Sequence, residues 1–159
     1  MNQSNSSAKQ SRMNILWTVL IVLAVFVLLR RSAFEELYYN AIGYKFPESK
    51  IPWRGDFDET LAEAKEKGKP VLLVFGATWC PPCKTMKRNV WPDEEVTKAV
   101  EQGFVPMYVD VDEEKHSQLS ARYRILGIPA VLVLNAEGEI LQQRNTMSRS
   151  ETLQFLTSK

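Results

Sequence analysis

Residues 69–89 read KPVLLVFGATWCPPCKTMKRN, and the fold turns on this stretch. VLLVF (residues 71–75) is a short apolar run of branched residues, the pattern of a buried strand. Directly after it come Cys80 and Cys83, with Pro81 and Pro82 between them. Proline is tolerated in the first turn of a helix, because the N–H groups it lacks have no intrahelical partner there. The stretch therefore predicts a strand, a tight turn and a helix that Cys80 opens as N-cap. Cysteines at i and i+3 then fall on adjacent turns of one helix face, close enough for their sulfurs to bond.

Working outward, the chain alternates helical and strand patterns. Residues 56–68 (DFDETLAEAKEKG) form an amphipathic helix with Phe57, Leu61 and Ala64 on one face, closed by Gly68. Helical character from Cys80 to about Gln102 breaks at Trp91-Pro92. FVPMYVDV (residues 104–111) is a second strand, and residues 117–124 a second crossover helix. VLVL (131–134), the turn NAEG and EILQQ (139–143) make a hairpin. Ser148-Arg149-Ser150-Glu151 is a capping box opening a last helix that runs to the C-terminus. The order β-α-β-α-β-β-α predicts an α/β fold: a central mixed sheet, parallel pair plus antiparallel hairpin, with helices on both faces.

The chain has 159 residues and 18.2 kDa, room for one domain of about 100–150 residues plus an appendage. Hydrophobic residues at 45% and charged residues at 25% suit a chain that buries a core. Twenty basic against nineteen acidic side chains leave a net charge of +1, and residues 51–159 alone carry fourteen basic and sixteen acidic. No nucleic-acid partner is implied. Two cysteines and one histidine, His116, exclude a disulfide scaffold and a four-thiolate zinc site. Whatever unusual chemistry the chain has involves Cys80 and Cys83.

The N-terminal third reads differently. Residues 1–12 (MNQSNSSAKQSR) are polar and acid-free, which predicts a disordered tail. Residues 13–29 (MNILWTVLIVLAVFVLL) are uncharged and stop at Arg30-Arg31. Seventeen residues reach the low end of the length that crosses a bilayer. A signal-peptide core would end at a small-residue cleavage site, where this chain has arginines. Residues 13–31 are therefore expected to be an uncleaved anchor in the lipid bilayer. Residues 32–50 read as a juxtamembrane linker whose Phe34, Tyr38, Tyr39 and Tyr44 rest at headgroup level or pack on the domain. Pro47 and Pro52 keep any helix from running into the domain at residues 51–159. Lys9 and Arg12 against Arg30 and Arg31 bias the N-terminus only slightly to the inner side.

A thiolate at a helix N-terminus is favoured by unpaired backbone donors and the helix dipole, so the Cys80 pKa should fall below the free value of about 8.5. Cys83, one turn further in, should face protein. An exposed nucleophile that attacks and a shielded partner that resolves the mixed disulfide make a thiol–disulfide exchange pair. An inert core pair or half of a metal site are the alternatives. A CxxC pair that follows a strand and opens a helix favours redox chemistry. The Cys80–Cys83 dithiol itself carries two electrons, so neither an organic cofactor nor a metal is called for.

WCPPCK (residues 79–84) together with GIPA (residues 127–130), separated by a β-α segment, resembles the thioredoxin family over about residues 51–159. The resemblance implies that Ile128-Pro129 is a cis peptide beside the dithiol. It also implies that a substrate backbone pairs with the residue before the proline, which makes Trp79, Ile128 and Pro129 substrate contacts. Trp79 would both shield the thiolate and pack. Lys69-Pro70, WCxxCK, Met86 and the acids near Trp91 are most similar to membrane-linked bacterial thioredoxin domains. Their nearest type is the C-terminal domain of transmembrane thiol:disulfide interchange proteins. That implies a single-pass protein of the bacterial inner membrane with its domain facing the periplasm. It further implies protein disulfides as substrates, exchange in the direction of a reductant or isomerase, and a membrane electron donor. A tethered, non-catalytic binding module, or one for copper, is the rival reading.

One departure stands out. The family's buried acid six residues before the first cysteine is here Val74, and the lysine of the neighbouring strand falls at Tyr108. Asp110, Asp112, Glu113 and Glu114 read as a solvated loop rather than as replacements, and His116 beyond them as solvent-exposed. Lys84 adds positive potential near the sulfurs, weakly if exposed.

Overall fold

The computed structural model describes residues 4–29, 38, 41 and 48–158, with side chains of the first helix described over residues 14–26. Two compact units divide the chain, Met1–Phe46 and Pro47–Lys159. The first contains helix α1, Ser4–Leu29. Residues 4–12, expected to be disordered, are its opening turns. Once an apolar run has nucleated a helix, each further residue adds a hydrogen bond, so a polar flank can join it. Ile15, Leu16, Trp17 and Val22 are exposed. Among the described residues no helix is long and apolar enough to cross a membrane. The aromatic cluster placed in the linker lies outside the described residues except for Tyr38, which is exposed.

The second unit contains α2 (Phe57–Lys67), β1 (Val71–Gly76), α3 (Pro81–Asn89), α4 (Glu94–Gly103), β2 (Val105–Asp110), α5 (Ser117–Arg122), β3 (Ala130–Leu134), β4 (Ile140–Arg144) and α6 (Arg149–Thr157). The sheet order is β2-β1-β3-β4. β1 runs parallel to β2 and antiparallel to β3, and β3 pairs antiparallel with β4. This is the parallel pair plus hairpin that the pattern predicts. α5 is shorter than expected: a 3-10 turn at Glu114–His116 precedes it and Arg124, at φ 49°, follows it. It links β2 to β3, which run in opposite directions with β1 between them, so it is not a parallel crossover.

β1 is buried along its whole length, and strand alternation divides its side chains between two cores. Leu72 and Val74 lie with Met86 and Val90 of α3 and its C-cap, Val96 and Val100 of α4, and Phe155 of α6. Val71, Leu73 and Phe75 lie with Ala64 of α2, Leu119 of α5 and Tyr123. Helices thus cover both faces, and β1, one of the two interior strands, delivers its C-terminal end to α3.

The helix ends follow their local chemistry. Asp56 accepts the Glu59 N–H at 2.9 Å as N-cap of α2, and Gly68 closes that helix at φ 62°, a conformation that favours glycine. Ser148 and Glu151 form the expected capping box on α6. Arg54, whose N–H reaches the Pro106 carbonyl on the outer edge of β2, also grips Glu63 of α2 through Nε at 2.9 Å. Lys67 Nζ adds a second cation at 2.6 Å. The Arg54 hydrogen bond and then that of Lys67 bring the Glu63 carboxyl down to about 2. A depressed folded-state pKa stabilises the fold above the unfolded carboxyl value, and that contribution is lost as pH falls through about 2. Denaturation between pH 5 and 2 should therefore be steeper for the wild-type chain than for Glu63→Gln. Parallel pH profiles for the two would contradict this linkage.

Candidate active site

β1 ends at Gly76, and the chain turns through Ala77 to Trp79 before α3 begins. Cys80 is the N-cap of α3 with Pro81 and Pro82 in its first turn, as its sequence dictates. Because neither proline has an N–H, the first free donor of the helix is that of Cys83. It points at Cys80 Sγ, 3.2 Å away. The two sulfurs are bonded at 2.06 Å, with Cα atoms 5.3 Å apart. When the bond is reduced, the same N–H and the helix dipole face a charge on Cys80 rather than on Cys83.

The expected difference in exposure is absent. Cys80 is 2% exposed and Cys83 7%, so in the disulfide form the N-terminal cysteine is the more covered of the two. The cover is tertiary: Ala77, Val111 and Ile128 close around the pair, and the Ile128 carbonyl lies 3.7 Å from Cys80 Sγ. Helix position, not solvent access, distinguishes the sulfurs here.

The Ile128–Pro129 peptide is cis, as the resemblance implied. It sits at the mouth of β3, and Asn145 Nδ2 donates to the Pro129 carbonyl at 3.2 Å. Trp79 does not pack in the core. It is 62% exposed, and its Nε1 donates to Asp112 Oδ2 at 2.8 Å. His116 corrects a second expectation, being 5% exposed rather than solvated. Its Nδ1 lies 2.9 Å from the Asp110 carbonyl, which draws the ring inward.

Of the residues singled out in the sequence, Cys80, Cys83, Ile128 and Pro129 converge on one point, with Trp79 at its rim. Asp112 and Asn145 were missed as partners of the site. Asp112 had one legible signal: it lies two residues beyond a strand that neighbours β1, hence at the sheet end that carries Trp79. Asn145 has no comparable signal, since only the hairpin register brings it to Pro129.

A thioredoxin-like family profile matches residues 52–136, more than half of the chain. The chain belongs to the thioredoxin-like family. Its sequence is 39% identical over 88 residues to thiol:disulfide interchange protein DsbD 1 of Pseudomonas aeruginosa, covering 52% of this chain and 14% of that protein. The chain spans less than a fifth of the length of the curated relatives it matches. A thioredoxin from Thermus thermophilus superposes with a TM-score of 0.60 at 31% identity, covering 67% of this chain and 84% of that one. The oxidised DsbD C-terminal domain of Neisseria meningitidis gives a TM-score of 0.54 at 27% identity, covering 61% and 86%. The chain thus carries a bonded Cys80–Cys83 pair, and the relatives it matches are named thiol:disulfide interchange proteins.

Within this thioredoxin-like domain Val74 is 2% exposed and faces the core beside Tyr108, its register partner on β2. Burial, and after it the charge of Asp110, raises the Tyr108 phenol above its ordinary value. Val74 therefore has no group that could take up a proton, and its neighbour contributes a phenol hydroxyl. Among the described residues no cluster of three His, Cys, Asp or Glu side chains could hold a metal ion.

Proposed function

We propose that this chain is a membrane-anchored thiol–disulfide oxidoreductase that acts on protein disulfides as a reductant or isomerase. The observation that carries the reading is the bonded cysteine pair at the N-terminus of α3, set against a cis Ile128–Pro129 peptide. In the reductive direction the Cys80 thiolate attacks one sulfur of a substrate disulfide and the other leaves as a thiolate. Cys83, once deprotonated, attacks Cys80 Sγ, which releases the second substrate thiolate and restores the Cys80–Cys83 bond. Two electrons pass to the substrate, and the substrate thiolates take up protons from solvent or from the site. Trp79, Ile128 and Pro129 border the approach and contact the substrate chain.

The uncharged run at residues 13–29, closed by Arg30-Arg31, supports a single-pass anchor within the 13–31 segment, with 1–12 ahead of it and a linker to residue 50. The interchange-protein relatives support an inner membrane site with the domain facing the bacterial periplasm. A membrane electron donor then recharges the dithiol, since residues 13–29 contain no cysteine to pass electrons across.

The test is reduction of insulin by the full chain in detergent with dithiothreitol as electron source. Precipitation of insulin B chain well ahead of dithiothreitol alone is expected, and a rate equal to the reagent's would overturn the proposal. A membrane-impermeant thiol label should modify reduced Cys80 in intact spheroplasts. Labelling only after lysis would reverse the orientation.

A further inference from the structure

We propose that His116 is a positioning residue for the dithiol: it holds the loop at the end of β2 so that Asp112 can fix Trp79 beside Cys80. The inference rests on the oxidoreductase reading and extends it to a residue that touches neither sulfur. A continuous series of hydrogen bonds carries it. His116 Nδ1 lies 2.9 Å from the Asp110 carbonyl, an atom that only accepts, so Nδ1 bears the proton. The same carbonyl accepts the Glu113 N–H at 3.2 Å, and the His116 N–H returns to the Glu113 carbonyl at 2.9 Å. Asp110 Oδ1 takes the Asp112 N–H at 3.1 Å. Asp112 Oδ2 then takes the Trp79 indole N–H at 2.8 Å.

The loop is otherwise thinly anchored. Asp112, Glu113 and Glu114 are exposed, and between β2 and α5 only Val111, besides His116, packs inward, against the cysteines and the core behind them. His116 is the one buried polar side chain of the segment. Its Nε2 is also buried and has no partner among the described residues. A buried ring nitrogen without a partner is costly, so the Nδ1 bond to the Asp110 carbonyl is what holds the ring in this place. Its placement is accounted for if the Nδ1 bond is what the loop requires. Trp79 is 62% exposed, and its indole is tied to Asp112.

The experiment is nuclear magnetic resonance on the 15N-labelled full chain in detergent micelles. His116 is the sole histidine, so its imidazole signals need no assignment. The wild type should show the Nδ1–H tautomer, and an Nε2–H tautomer would overturn the proposal whatever the variants do. His116→Ala should shift the Trp79 indole N–H signal and speed its exchange with solvent by about tenfold, as Asp112→Ala should directly. His116→Asn, whose amide can donate near the Nδ1 position, should restore the wild-type signal. A Trp79 signal unmoved in folded His116→Ala, or unrestored in folded His116→Asn, would also overturn it. These readouts need no turnover, so insulin reduction by the same wild-type sample tests the underlying reading separately.

Discussion

Serine at position 80 should abolish disulfide exchange, while serine at 83 should leave the first step intact and stall the second. Thiolate, not thiol, attacks a disulfide, and a serine hydroxyl at neutral pH is not a nucleophile of that kind. Cys80→Ser removes the sulfur that the Cys83 N–H and the helix dipole both face. A loss of at least about 10³-fold in insulin reduction is expected, roughly 4 kcal/mol of transition-state stabilisation. Cys83→Ser retains that sulfur and should accumulate a mixed disulfide between Cys80 and its substrate. Non-reducing electrophoresis of acid-quenched cells would show the adducts, and mass spectrometry of the captured proteins would identify substrates. Equal trapping by both variants would show that the N-cap position does not select the nucleophile. Since the two cysteines are nearly equally buried, the asymmetry stands on backbone electrostatics alone. The pH dependence of alkylation of the reduced chain checks the same point, with Cys80 titrating lower than Cys83.

Gly76→Ala should be the most damaging one-carbon addition near the site. Gly76 is the last residue of β1, and a Cβ there would overlap the Tyr108 hydroxyl and lie 3.0 Å from its Cζ. The phenol has little room to yield. Its ring meets Trp53 edge-on at 6.0 Å between centroids, and Trp53 in turn meets Trp91 at 5.4 Å. The backbone must move instead, one residue before Ala77, which packs on both cysteines. Overpacking of this kind costs about 1–3 kcal/mol. Thermal unfolding should fall by several degrees, roughly 4–8 °C per kcal/mol for a domain near this size. Tyr108→Phe removes the overlapping oxygen and should recover most of the loss in the double variant, a coupling that two independent sites would not show. A melting temperature of Gly76→Ala equal to wild type, or no recovery with Tyr108→Phe, would contradict the clash.

Much of this was open to reading in the chain itself, because it depends on local rules. The strand at 71–76, the cap residues Asp56, Gly68 and Ser148, and the break at Trp91-Pro92 follow from short-range spacing and backbone preference. So does Cys80 as N-cap, since only the first turn of a helix accommodates two prolines. The sequence of strand types was enough to predict a parallel pair with a hairpin. What lay beyond it needs partners distant in the chain. Burial of Cys80 comes from Val111 and Ile128, and that of His116 from the Asp110 carbonyl. Exposure of Trp79 reflects a bond to Asp112, thirty-three residues away, rather than anything in its own flanks. Local pattern tells a residue which way its backbone runs and which face it shares. Whether that face meets solvent, a carbonyl or a sulfur is set by which strand ends the sheet brings together, and only the tertiary structure decides that.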